Sequence, residues 1–170
     1  MARTDQDTPV LAGAVRDALT TLLRELLDGS PESGAFVLNP GDRGLFASLD
    51  RLSAEAASAQ PGGRSSVAAH VDHLRYGFEL RNRWARGEDP WSTANWAASW
   101  ERQHVTDEGW RTLRAAFAAE ARAWLKTSGE LRDWNRVDLT EVVASTVHLA
   151  YHLGAIRQIA QVASGPPAHE

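Results

Sequence analysis

His148 and His152 stand four residues apart, the spacing that makes two side chains neighbours on one face of a helix. Two imidazoles so placed can both reach one metal ion, at nitrogen-to-metal distances of ~2.1 Å that a rigid helix pre-sets. The same spacing also serves histidines that only pack or cap, so the pair by itself admits either role. A third histidine on another helix, His73, would complete a three-nitrogen site. Such a site leaves a position open for water or substrate, the arrangement of catalytic rather than structural metal. The chain has no cysteine, which excludes disulfides, thiolate nucleophiles and cysteine-ligated zinc. Imidazole suits zinc, nickel, copper and iron alike, so the residues do not select the ion.

Helices must position these rings. The first is expected from Thr8, with Pro9 in its first turn as helix starts prefer. Leu11, Val15, Leu19, Leu22 and Leu26 then recur at steps of three or four, and Gly29 and Pro31 end it. Residues 31–44 read as a loop with a turn at Asn39-Pro40-Gly41, and Leu45 to Ala59 as one shorter helix. The second long helix opens at Ser65 or Ser66 and closes near Arg86 with Gly87 beyond it. A Trp-rich connection runs from Glu88 to about Val105. Thr106 caps the third helix, with Asp107 and Glu108 in its positive first turn, and this helix runs to about Lys126. The fourth begins near Asp138, where Asp138 and Glu141 have capping-box spacing, and runs to about Ala163.

At 100° per residue, Val67, Val71, Leu74 and Phe78 form one apolar stripe on the second long helix, while His73, Gly77, Leu80 and Trp84 form a second line beside it. On the fourth, Val142, Thr146, Leu149, Leu153 and Ala160 form the stripe, and Glu141, His148, His152 and Ile159 the second line. Both helices thus carry a hydrophobic seam with a histidine line on the same side, and packing them together turns those lines toward one pocket. The expectation is an all-α four-helix bundle with one additional short helix between helices one and two. It is read as a single domain over residues 1–170, with its core over about 9–163.

Composition narrows the partners. A net charge of −4 shows no basic surface that points to nucleic acid. The start, MARTDQDTPV, lacks the apolar core of a signal peptide. No apolar run approaches the ~20 residues needed to cross a bilayer. A soluble, cytoplasmic protein with no membrane or nucleic-acid partner is expected. Trp91, Trp96 and Trp100 crowd a segment without clear helical periodicity. They are read as covering a bundle end or a subunit contact, with a ligand wall as the alternative.

The segment His148-Leu149-Ala150-Tyr151-His152-Leu153-Gly154-Ala155-Ile156-Arg157-Gln158 resembles the last helix of the DinB-like proteins. That family shows a histidine, two intervening residues, then Tyr-His-x-Gly-x-Ile-x-Gln. Ser66-Val67 followed by His73-Leu74 is similar to its Ser-Val-x(5)-His-Leu stretch. The resemblance covers about residues 9–163 and places the family's three ligands on His73, His148 and His152. It implies a four-helix bundle, usually dimeric, holding nickel, zinc or iron. It also implies, for some members, transfer of a low-molecular-weight thiol such as bacillithiol or mycothiol to an electrophilic small-molecule substrate.

Other residues have competing readings. His70 is a fourth ligand, a partner bonded to a ligand, or a buried structural histidine, the last being favoured. His104 has no motif support, and His169 lies in the tail. Glu141 reads as a capping-box residue before a pocket residue, and Asp72 as a solvated charge. Ser145 is one turn from His148 and within reach of a ligand or a carbonyl. Gly77 and Gly154 permit close helix packing or leave room for substrate. Tyr151 points away from His152.

Three functions remain: a metal-dependent thiol transferase, whose thiol must come from a cofactor; a metal-dependent hydrolase, which needs a base that only Glu141 resembles; and a non-enzymatic metal- or ligand-binding stress protein. No catalytic residue is assigned.

Overall fold

The computed structural model describes residues 7–130 and 135–166. Over these it is all-helical, with no strand. The α-helices are α1 (Asp7–Asp28), α2 (Gly44–Asp50), α3 (Ala54–Ser58), α4 (Val67–Ala85), α5 (Asp107–Glu130) and α6 (Arg136–Ile159). Among the described residues, no helix is long and apolar enough to cross a membrane. His169 lies outside the described residues.

The helices that carry the histidines start where local chemistry makes them start. Ser66 has extended backbone, and its hydroxyl accepts the Ala69 N–H at 3.2 Å, satisfying a donor that a helix start leaves unpaired. At the far end Arg86 caps α4 and Gly87 takes a φ of 86°, a conformation open to glycine at little cost. The start of α6 lies earlier than expected. Asn135 accepts the Val137 and Asp138 N–H groups at 2.7 and 3.1 Å, and Asp138 accepts the Asn135 N–H at 3.0 Å. The capping box is therefore Asn135 with Asp138, which replaces the expected Asp138 with Glu141 and leaves Glu141 available to other partners.

The expected short helix over Leu45 to Ala59 is two helices. Ser53 breaks it: its backbone is extended and its hydroxyl accepts the Ala56 N–H, so the chain restarts as α3 instead of continuing α2. Likewise α6 stops at Ile159, and a 3₁₀ turn over Gln161–Ala163 takes the last residues of the expected helix.

The apolar stripe of α4 (Val67, Val71, Leu74, Phe78) is buried, as are Val142, Thr146, Leu149 and Leu153 of α6. On α1 the inward line runs through Leu19, Leu23, Leu26 and Leu27, with Leu22 only half-buried at its edge. These side chains share one core with Phe117 and Trp124 of α5. Helix α4 packs on α5 and α6, and α1 packs on α5 and α6 from its own side. Polar bonds cross the core where tryptophan needs a partner. Trp124 Nε1 donates to Ser145 Oγ at 2.8 Å, and Trp110 Nε1 to the Leu52 carbonyl at 2.8 Å.

Two buried carboxylates hold the loop between α1 and α2. Glu25 accepts the backbone N–H groups of Phe36, Val37 and Leu38 at 2.7–3.1 Å. Asp42 makes a two-pronged pair with Arg157 of α6, both contacts at 2.8 Å. The latter ties the loop to the C-terminal end of the helix that carries His148 and His152.

Candidate metal centre

The three expected histidines converge. His73 from α4 and His148 and His152 from α6 each turn a ring nitrogen into one cluster whose donor atoms lie within 4.8 Å of one another. The Nε2 atoms of His73 and His148 are 3.1 Å apart, and those of His148 and His152 are 2.8 Å apart. A tetrahedral ion with nitrogens at about 2.05 Å spaces its ligands by about 3.3 Å, so the His73–His148 and His148–His152 contacts would each open by about half an ångström or less. Three imidazole nitrogens fit a divalent ion with one position left for another ligand. The residues present therefore suit a metal such as zinc, nickel or iron.

The far nitrogens of two rings are held as well, and for His73 this decides which nitrogen carries the lone pair. Ser99 Oγ donates to the Trp96 carbonyl at 2.7 Å, which commits its only proton. Its 2.8 Å contact with His73 Nδ1 must then be a bond donated by the ring. His73 is thereby held with the proton on Nδ1 and the lone pair on Nε2, the state a metal needs. His152 Nδ1 shares a hydrogen bond with His70 Nδ1 at 2.8 Å, with the donor set by which ring carries the proton. His70 is thus the partner bonded to a ligand, one of its three open readings. Its Nδ1 is occupied by this bond, and it stands outside the converging set.

Burial keeps the rings neutral. His152 is 1% exposed; burial, and then its neighbours His148, His70 and His73, push it down to about 2. Burial, with His148, His70 and Arg81 adding to it, pushes His73 down to about 4, and burial with Arg81 does the same for His148. Burial also lowers His70. At neutral pH all four are uncharged and keep their lone pairs.

The Trp-rich segment closes one side. A 3₁₀ turn over Ala98–Trp100 lays the Trp100 ring on His73, with centroids 4.3 Å apart and planes 23° from parallel. The same ring meets the edge of His70 at 5.1 Å, and Trp96 lies 5.5 Å from His73. These two tryptophans therefore wall the histidine cluster. Next to them a cavity of about 410 Å³ is lined by His70, Trp100, Tyr151 and Gln158, among others.

The other candidates sort as follows. His104 is exposed and apart from the cluster. Asp72 is buried, against its expected solvated role, because it accepts from Arg75 Nε and Arg102 Nε, both at 2.7 Å. Ser145 donates to the Val142 carbonyl at 2.7 Å and receives the Trp124 indole, which gives it a structural role. Tyr151 is 69% exposed, yet against expectation its ring meets His152 edge-on with centroids 5.0 Å apart, and it lines the cavity beside His70 and Trp100. A Cβ on Gly154 would meet nothing, so close packing does not explain that glycine. One on Gly77 would meet Arg81 Nη1 at 3.3 Å and the Trp96 ring at 3.7 Å. Glu141 lies 3.6 Å from Arg81 Nε.

Sequence reasoning missed Ser99 and Arg81. Arg81 had a signal, since it follows Gly77 by four residues and His73 by eight on one helix. Ser99 had none, because it lies where no periodicity assigns a direction.

No family model, curated protein or solved structure matches the chain.

Proposed function

We propose that the chain is a DinB-like four-helix-bundle metalloprotein, with α1, α4, α5 and α6 as its long helices. It transfers a low-molecular-weight thiol to an electrophilic small molecule. The observation that carries this reading is the convergence of one ring nitrogen each from the neutral side chains of His73, His148 and His152. A bound divalent ion supplies Lewis acidity that favours the thiolate over the thiol. The protein's own residues do the rest of the arranging. Ser99 and His70 orient two of the ligand rings. Trp100 and Trp96 keep water from one side of the site. The chain has no cysteine, so the reacting sulfur comes from a soluble thiol of the bacillithiol or mycothiol kind.

Hydrolysis fits less well. It needs a base beside the ion, and among the described residues Asp72 is taken up by Arg75 and Arg102, while Glu141 stands toward Arg81 at 3.6 Å. The protein acts in the cytoplasm as a homodimer. Support for the dimer is the outer face of α6, where Val143, Val147 and Tyr151 stand exposed beside the site.

The test is elemental mass spectrometry on protein purified without a histidine tag or chelator, beside the triple His73, His148 and His152 to Ala variant. About one ion per chain, lost in the variant, is expected. No ion after reloading with zinc, nickel and iron refutes the site. A metal-loaded protein that neither binds nor turns over any cellular thiol refutes the transfer.

A further inference from the structure

Arg81 is a buried cation with too few partners. It is 8% exposed, and arginine is seldom so buried unless fully paired. Its Nη1 donates to the Gly77 carbonyl at 3.0 Å, within its own helix. Its Nε is buried and has no hydrogen-bond partner. The only carboxylate beside it among the described residues, Glu141, stays 3.6 Å away and is itself partly exposed. An indole ring, Trp91, lies 6.0 Å from the guanidinium carbon, and the Trp96 ring, 5.5 Å from His73, comes within 3.7 Å of where a Cβ on Gly77 would stand.

The helix sets how far this cation is from the histidine cluster. Arg81 reaches back to Gly77, one turn beyond His73, so its guanidinium sits about 6 Å along the axis from the His73 level. A side chain at position 77 would push against Nη1 at 3.3 Å, and glycine there lets the guanidinium lie toward the cluster. Its charge is felt by both His73 and His148.

From the unfilled hydrogen-bonding capacity of Arg81 one turn from the three histidines, we infer that Arg81 is a specificity-determining residue that binds the carboxylate of a ligand whose other end occupies the open metal position. The inference rests on the proposed metal site and names the class of molecule it takes: a small metal-binding donor carrying a carboxylate three or four bonds away. The ligand carboxylate completes the charge-assisted pairing that Glu141 makes only at long range. Glu141 competes for the same guanidinium, so its negative charge weakens ligand binding.

The full chain loaded with cobalt is titrated with 4-mercaptobutyrate, with its methyl ester and with malonate. Thiolate-to-cobalt absorption reports sulfur on the metal, and quenching of tryptophan emission reports occupancy beside Trp91 and Trp96. The acid is expected to bind about tenfold or more tighter than the ester, the size of one charged hydrogen bond. Arg81→Met should bring the two within about twofold while still binding cobalt and the ester, and Arg81→Lys should restore part of the preference. Glu141→Gln should tighten the acid and leave the ester unchanged. Equal binding of acid and ester by the native chain overturns the inference, as does a preference that survives Arg81→Met. If neither thiol produces the cobalt band, the thiol reading fails. Malonate then decides for Arg81: quenching lost in Arg81→Met upholds it, and quenching unchanged or absent overturns it.

Discussion

His70 Nδ1 and His152 Nδ1 face each other at 2.8 Å across the α4–α6 contact. One of these nitrogens must donate and the other accept, so the tautomers of the two rings are coupled, and a metal on His152 Nε2 would place the proton on His152 Nδ1. With the proton on His152 Nδ1, the His152 lone pair is on Nε2, where it meets His148 Nε2 at 2.8 Å. Metal-bound histidines usually take a carboxylate or a carbonyl in this position. Here a second buried imidazole does the work without adding charge.

Loss of that partner should loosen the metal before it loosens the fold. His70→Ala is expected to weaken metal affinity by about 10–100-fold, the range seen when residues bonded to ligands are removed. Ser99→Ala should do the same through His73. Competition against a coloured chelator measures both. Unchanged affinity in both variants would show that the outer bonds do not orient the rings.

Acid should destabilise the metal-free chain in a defined window. His73 and His148 fall from an ordinary 6.5 to about 4 in the folded state, and His152 to about 2. Their folded values lie below their unfolded ones, so the unfolded chain binds more protons between these limits. Stability is then whole above about pH 6.5 and declines as pH falls toward 4, by up to about 1.4 kcal/mol per pH unit for each histidine. Asp42 acts lower still. Burial raises its carboxyl, but the Arg157 pairing, the Gly44 N–H and the charge of Arg51 outweigh this and hold it below 3.8. Its contribution stays intact above that value and is lost only as pH falls through its folded value. Urea titrations from pH 7.5 to 4.5 should show the decline, and a flat profile would contradict the neutral, buried state of the three rings.

Glu25 should control the loop between α1 and α2. It accepts three successive backbone N–H groups, and Glu25→Ala would leave these part-buried donors without that partner at a cost of about 1–2 kcal/mol. Hydrogen exchange should quicken first at Phe36, Val37 and Leu38. If those amides exchange as slowly as before, the carboxylate is not what orders the loop.

Phe117 tests the core. It is fully buried and packs against Phe46 and Phe78. Phe117→Ala should cost about 3–5 kcal/mol by chemical denaturation. Metal stoichiometry should be retained in whatever fraction stays folded, because Phe117 lies on α5 and touches none of the three ligands.

Sequence alone determined the helical class, the start at Thr106, that of α4 to within one serine, and the three histidines that meet. Those features are written in local periods and caps: His148 and His152 share a face whatever surrounds the helix, and a hydroxyl before an apolar repeat opens a helix wherever it lies. Only the tertiary structure decided the features that depend on distant partners. Ser53 divides the expected short helix, and Asn135 moves the start of α6, because each side chain captured a backbone donor ahead of its competitors. Asp72 is buried because two arginines, one from a remote loop, meet it there. Ser99, Trp100 and His70 became parts of the site through an irregular segment and a helix crossing, and neither has a period that a sequence displays. Arg81 shows the boundary between the two. Its place one turn beyond Gly77 is written in the chain, but its want of a close counter-ion appears only when α6 brings Glu141 to 3.6 Å and no nearer.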